Sequence, residues 1–249
     1  MANWNDPQPP RTGFGASPGL DGGTLGQAAT HDAGLRRYML SIYNYMASGV
    51  LLSGIVALLF FRSNMAQAVF DTSLLRWLVM LAPLGFVMAM SFGFNRMQTS
   101  TLKLLFWSFS VAMGLSLSSI FFFYTGPSIA ATFFATAGAF AGLSLYGYTT
   151  KKNLSGFGSF LIMGLFGILI AMVINMIWPS SALALVISIL GVLIFAGLTA
   201  YDTQRLKDAY AYVSGTEMMG KVAIMGALNL YLDFINMFQF LLQFMGDRR

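Results

Sequence analysis

Long apolar runs separated by short polar connections dominate the chain from Arg36 onward. Each run approaches the roughly 20 residues that a helix needs to cross a hydrocarbon core of about 30 Å. Two charge-free stretches, Leu104–Thr150 and Asn153–Tyr201, are too long for one crossing. Gly126-Pro127 and Trp178-Pro179 mark a turn in each, so each stretch predicts two helices. The predicted spans are residues 38–61, 77–94, 102–123, 129–148, 157–177, 182–201 and 222–245.

These spans predict an all-α polytopic membrane protein with a single transmembrane domain over residues 36–249, because open strand edges cannot be satisfied in lipid. Residues 1–35 are rich in Gly, Pro, Ala, Asp and Thr and have no apolar periodicity, which predicts a disordered polar tail. The tail does not resemble a secretory signal. The connection carrying Arg62, Asp71 and Arg76 can hold an interfacial helix, and 202–216 is predicted to be a polar loop.

Composition agrees with a membrane protein, since 57% of the residues are hydrophobic and only 9% are charged. A soluble domain carries about a quarter charged residues. The absence of cysteine excludes disulfides, thiol catalysis and cysteine metal sites. The single histidine, His31, lies in the tail, so histidine-based zinc or triad chemistry is excluded from the membrane. No cofactor is predicted, and the net charge of +5 is assigned to cytoplasmic loops rather than to nucleic-acid binding.

The distribution of Lys and Arg predicts the orientation of the chain. One side holds the larger set: Arg36, Arg37, Arg96, Lys103, Lys151, Lys152, Arg205, Lys207 and Lys221. The positive-inside rule therefore places the N-terminus in the cytoplasm. Seven crossings put the C-terminus outside, whereas a re-entrant last segment, which Arg248 and Arg249 favour, returns it to the cytoplasm.

The last span carries a polar stripe that contains its only carboxylate, Asp233. The stripe residues are spaced 4, 3, 3 and 4 apart and share one face of about 120°: Asn229, Asp233, Asn236, Gln239 and Gln243. A charge at this depth costs roughly 2.5–3.5 kcal/mol, so intramembrane carboxylates usually have a function. The structural alternative is that the amides hold helices together and that Asp233 pairs with a buried Arg.

Asp202 follows the sixth span, three residues before Arg205, with which an intrahelical ion pair is possible. If the sixth and seventh helices pack side by side, Asp202 approaches Asp233. Two nearby carboxylates share a proton and titrate as a coupled unit. When both are ionised, the pair is a possible cation site. Arg96 is a candidate third member of the site formed by Asp202 and Asp233, if the loop between the second and third spans lies beside them. The alternative is that Arg96 is one more positive charge on the cytoplasmic side.

Intramembrane aspartyl proteolysis is the enzymatic alternative. Tyr201-Asp202 matches the first half of that pattern, but Leu230-Tyr231-Leu232 precedes Asp233 where the second half requires Gly-x-Gly. No membrane histidine supports a serine protease. We therefore predict that the protein is not an enzyme.

Two segments, GLTAYDTQRLKD (Gly197–Asp208) and GALNLYLDFINMFQFLLQFMG (Gly226–Gly246), resemble the signatures of the Bax inhibitor family of membrane proteins. SLYGYTTKKNLSGFGSFLIMGL (Ser144–Leu165) and the segment from Asn95 to Ile120 resemble its bacterial branch, and the similarity extends from Arg37 to the end. The resemblance implies a seven-helix bundle around the last helix.

The same resemblance implies a pH-sensitive di-aspartyl unit formed by Asp202 and Asp233, a calcium leak, and a latch arginine matched by Arg96. Glu217 is the only glutamate, and it lies in a predicted loop, so a site that needs a membrane glutamate has no match. The expected function is a pH-gated cation leak, with calcium as the ion, in a bacterial inner membrane. The alternative is a non-conducting regulator that binds other membrane proteins, such as membrane proteases.

Overall fold

The computed structural model describes residues 22–63 and 65–249. Seven helices in this part of the chain are long and apolar enough to cross a membrane, which confirms the predicted all-α polytopic fold. The helices of the described residues are α1 (Gly22–Arg62), α2 (Met65–Asp71), α3 (Ser73–Gly93), α4 (Thr99–Leu117), α5 (Ile120–Phe123), α6 (Gly126–Thr149), α7 (Ser155–Ile177), α8 (Ser181–Val213) and α9 (Met218–Met245).

The C-terminal helix α9 is the centre of the bundle. It packs most extensively against α8 and also contacts α1, α6 and α4, while α3 packs on α4 and α7 on α8. Aliphatic and aromatic side chains are buried around most of α9, among them Leu228, Leu230, Tyr231 and Met237. This arrangement leaves one face of α9 between α4 and α8, where the outer helices α3 and α7 do not close over it.

A buried hydrogen-bond network fixes the rotation of α9 against α1 and α4. The Ser53 hydroxyl donates to the Ser110 carbonyl oxygen at 2.6 Å and therefore accepts from the Tyr231 hydroxyl, also at 2.6 Å. The ring of Phe109 packs edgewise on Tyr231, with ring centroids 5.0 Å apart. Because an unmade buried hydrogen bond is costly, this network holds the Tyr231 face of α9 toward α1 and α4.

Two predicted boundaries are wrong at helix ends. The predicted tail is already helical from Gly22, because an established helix adds further turns at little cost; residues 1–21 lie outside the described residues. The predicted loop 202–216 is mostly helix, since α8 continues to Val213. No Gly or Pro interrupts this segment, and its Ala, Leu, Arg, Lys and Gln residues are good helix formers.

The C-terminal residues decide between the two predicted endings of the chain. Helix α9 runs without interruption to Met245, and the backbone then pairs with the connection between α5 and α6. The Arg249 N–H donates to the Phe123 carbonyl oxygen at 3.0 Å, and the Thr125 N–H donates to that of Asp247 at 3.1 Å. This connection lies at the opposite end of the bundle from Arg36. The re-entrant alternative is therefore wrong.

Candidate functional site

Asp233 lies in the middle of α9 with only 5% of its surface exposed. Its Oδ2 atom is buried and has no hydrogen-bond partner among the described residues. Buried polar atoms are nearly always paired, so an orphaned carboxylate oxygen needs an explanation. It offers a position for a proton or for a bound cation.

Asp202 approaches this position from the neighbouring helix. Helices α8 and α9 run antiparallel and pack closely where Gly191 meets the Phe240 ring and where Gly226 meets Leu206. Half-buried Asp202 lies in the interior of α8 rather than at a helix end, and its carboxylate is within electrostatic range of Asp233. The exposed Arg205, one turn further along α8, is the cation that acts on Asp202. The structure thus brings the two aspartates together.

Polar contacts clamp this part of α8 to the connection between α6 and α7. The Gln204 amide donates to the Lys152 carbonyl oxygen and accepts from the Leu154 N–H, both at 2.8 Å. The Lys207 ammonium donates to the Tyr148 carbonyl oxygen at 2.8 Å. Sequence reasoning missed these positioning residues because it assigned the segment to a loop; the uninterrupted run of helix formers is the signal that identifies them.

The polar stripe of α9 divides into two parts. Asn236, Gln239 and Gln243 line a cavity of about 380 Å³ on the face of α9 that lies between α4 and α8. Ser116 and Ser119 add hydroxyl groups to its wall. Asn229 is half-buried and lies one helical turn before Asp233 along α9, and it does not line this cavity. Asp233 therefore lies one turn of α9 from the end of this cavity that Asn236 lines.

Arg96 is not brought to the aspartates in this structure. It is exposed in the turn between α3 and α4, and it forms no ion pair with either carboxylate. Thr99, just after this turn, lies against Gly220 near the start of α9. At 1.5 Å per residue, Asp233 is roughly 20 Å further along the helix. A latch role for Arg96 stays a prediction and requires movement of this turn.

The aspartates provide two carboxylates for a cation and no more. No group of three His, Cys, Asp or Glu side chains forms a metal site in the described ranges. Ca²⁺ takes six to eight oxygen ligands, so most of its ligands at this pair would be backbone carbonyls, amides or water. Two carboxylates are thus too few to hold a structural Ca²⁺ ion by themselves.

Comparison with known proteins places this site in a family. The model of the family described as inhibitor of apoptosis-promoting Bax1 matches residues 35–249. The inner membrane protein YbhL of Escherichia coli is 43% identical over 222 residues, which cover 87% of this chain and 94% of that protein. An uncharacterized protein of Rickettsia prowazekii is 44% identical over 232 residues, covering 91% and 96%.

A more distant relative, an uncharacterized membrane protein of Streptococcus pyogenes, is 33% identical over 218 residues, covering 86% of this chain and 94% of that protein. The matched region includes both aspartates and all seven candidate spans except the first three residues of the first span. The protein is a multi-pass protein of the bacterial inner membrane, and the chain belongs to the Bax inhibitor family.

Proposed function

We propose that the protein is a pH-sensitive leak channel for cations, with calcium as its principal ion, gated by Asp202 and Asp233. The observation that carries the proposal is the buried, unpartnered Oδ2 of Asp233, within electrostatic range of Asp202 on the facing helix. The charged neighbour of Asp233 is another carboxylate and not a cation, which argues against a role as one partner of a structural ion pair. The proposal assigns no chemical reaction to the protein and no cofactor.

In this proposal, the cavity that Asn236, Gln239 and Gln243 line is the outer part of the path. Its amide and hydroxyl oxygens can replace part of the water shell of an entering cation, as oxygen dipoles do in ion-conducting proteins. Beyond Asn236 the path is closed, because Asp233 is enclosed by buried neighbours such as Leu230 and Phe234. The aspartates therefore occupy the position of a gate between the cavity and the cytoplasmic end.

Protonation determines the direction of gating. With both carboxylates ionised, their negative charge attracts an arginine that closes the path. Adding a proton removes one negative charge and weakens this attraction, so the leak increases as the pH falls. Arg205, whose positive charge acts on Asp202, is one candidate for this arginine. The family resemblance implies Arg96 instead, after a movement of its turn.

The test is calcium entry into liposomes that contain the purified protein and a trapped calcium indicator. Entry above that of empty liposomes is expected, with a rate that rises as the pH is lowered from about 8 to about 6, because two nearby carboxylates take up a shared proton as the pH falls. Absence of entry throughout this range would reject the channel and favour the non-conducting regulator.

Arginine variants identify the closing cation. We expect Arg205→Gln to raise calcium entry at about pH 8 toward the rate seen at about pH 6, because the ionised pair then loses its neighbouring positive charge. Arg96→Gln is the matched comparison: if Arg96 is the latch, this variant alone produces the increase. If neither variant changes entry at high pH, closure by an arginine is wrong.

A further inference from the structure

A separate cavity lies between α1 and α6, away from the cavity that Asn236, Gln239 and Gln243 line. A cavity of about 530 Å³ separates these helices in the half of the bundle that contains Arg36. This volume lies within the roughly 300–1,000 Å³ of small-molecule sites. Methionine, leucine, alanine and phenylalanine side chains make up most of the wall, and none of the lining residues is acidic. The cavity is thus an apolar groove at membrane depth.

The positive charge of this groove lies at its cytoplasmic end, while Tyr43 and Ser144 add hydroxyl groups midway along it. Arg36 and Tyr148 line the mouth, while Ala47 and Phe140 mark the inner end. The Lys207 ammonium lies 5.3 Å from the centre of the Tyr148 ring, which adds a second positive charge beside the mouth. The groove therefore has a cationic mouth and an apolar interior.

The length of the groove matches one leaflet of a bilayer. Arg36 and Ala47 are roughly 16 Å apart along α1 at the helical rise of 1.5 Å per residue. Half of the hydrocarbon core is about 15 Å thick. An acyl chain lying in the groove would extend to the bilayer midplane with its phosphate at Arg36. The positive-inside orientation places this mouth at the cytoplasmic leaflet, whose anionic lipids bind basic pockets between helices.

We infer that this groove binds an anionic glycerophospholipid of the cytoplasmic leaflet, with one acyl chain between α1 and α6 and the phosphate at Arg36. A second cavity on the same seam, of about 330 Å³, provides an internal comparison. It is lined by α1 residues such as Gly54 and α6 residues such as Phe134, and no charged residue lines it. The anionic headgroup is thus recognised only at the cytoplasmic end. The inference does not depend on ion conduction.

Native mass spectrometry of the purified protein, offered phosphatidylglycerol and phosphatidylcholine with identical chains, tests the headgroup contact. We expect preferential retention of phosphatidylglycerol, and Arg36→Gln should reduce it roughly fivefold, the effect of one basic residue at an anionic surface. Arg37→Gln is the control, because Arg37 is exposed on the same turn but does not line the groove. No preference for phosphatidylglycerol, or equal losses in both variants, would overturn the assignment.

Ala141→Trp tests the chain-binding interior, because Ala141 lines the groove while Ala139, on the same helix, is exposed elsewhere. Ala141→Trp should lower retention of both lipids, and Ala139→Trp should leave it unchanged. Unchanged retention in Ala141→Trp would overturn the proposal. If that variant instead converts dimers to monomers in the same spectra without lipid loss, a second copy of the chain occupies the groove, and the lipid assignment is wrong.

Discussion

Replacing Asp233 with asparagine is expected to remove most of the pH dependence of calcium entry. Asparagine has nearly the same shape as the carboxyl group but cannot titrate, so Asp202 loses the neighbour with which it shares a proton. A single titrating proton can change the rate by up to about tenfold per pH unit, and we expect less than about twofold in this variant. Entry of calcium into liposomes, followed from about pH 6 to about pH 8, measures the difference.

The matched control for this variant is Asp208→Asn. Asp208 is an exposed carboxylate on the same helix as Asp202, so its replacement changes the net charge equally and should preserve the pH dependence. Thermal unfolding of Asp233→Asn in detergent, compared with that of the wild type, checks that the variant is folded. Stable Asp233→Asn protein that retains the wild-type pH profile would rule out the di-aspartyl gate.

The membrane fold could be predicted from the sequence because long apolar runs leave few alternatives in lipid. The span predicted at 157–177 ends with α7 at Ile177, and the span at 222–245 ends with α9 at Met245. The prediction was wrong where helices leave the apolar region. Hydropathy identifies the apolar segment that lies in the membrane but not how far its helix continues beyond that segment. The sixth span was therefore predicted to end at Tyr201, although α8 continues to Val213.

The candidate site could be predicted only in part for a similar reason. The spacing of polar residues along α9 predicted a stripe, and the stripe residues Asn236, Gln239 and Gln243 do share one cavity. Spacing along one helix says nothing about its neighbours. It could not show that Asp202 faces Asp233 or that Arg96 lies far from both. Those relations depend on how α8 and α3 pack, which long-range contacts determine.

The glycines of α6 also show that spacing along one helix does not identify where that helix contacts another. Gly138 and Gly142 form a GxxxG pattern that predicts close helix packing in the fourth span. In the structure, a Cβ atom at either position would meet no atom within 4 Å. A Cβ atom at Gly147, in contrast, would collide with the backbone carbonyl of Ala200 on α8. The closely packed glycine of α6 is therefore Gly147, outside the pattern.

Gly147→Ala is expected to destabilise the protein by about 1–3 kcal/mol, the usual cost of overpacking. The methyl group meets backbone rather than a flexible side chain, so α6 and α8 must separate. Their separation also weakens the contact between the Thr203 and Ser144 hydroxyl groups, which are 3.4 Å apart. Thermal unfolding in detergent should show a lower Tm, by roughly 2–4 °C for each kcal/mol.

Gly142→Ala isolates this packing cost, because both variants gain the same helix propensity of about 1 kcal/mol when glycine becomes alanine. Gly142 has open space at its Cβ position, so this variant should be as stable as the wild type or more stable. The difference in Tm between the two variants then measures the close approach of α6 and α8 alone. Because that approach also positions Asp202 opposite α9, Gly147→Ala should alter calcium entry while Gly142→Ala should not. Equal Tm values for the two variants would show that α6 and α8 do not depend on contact at Gly147.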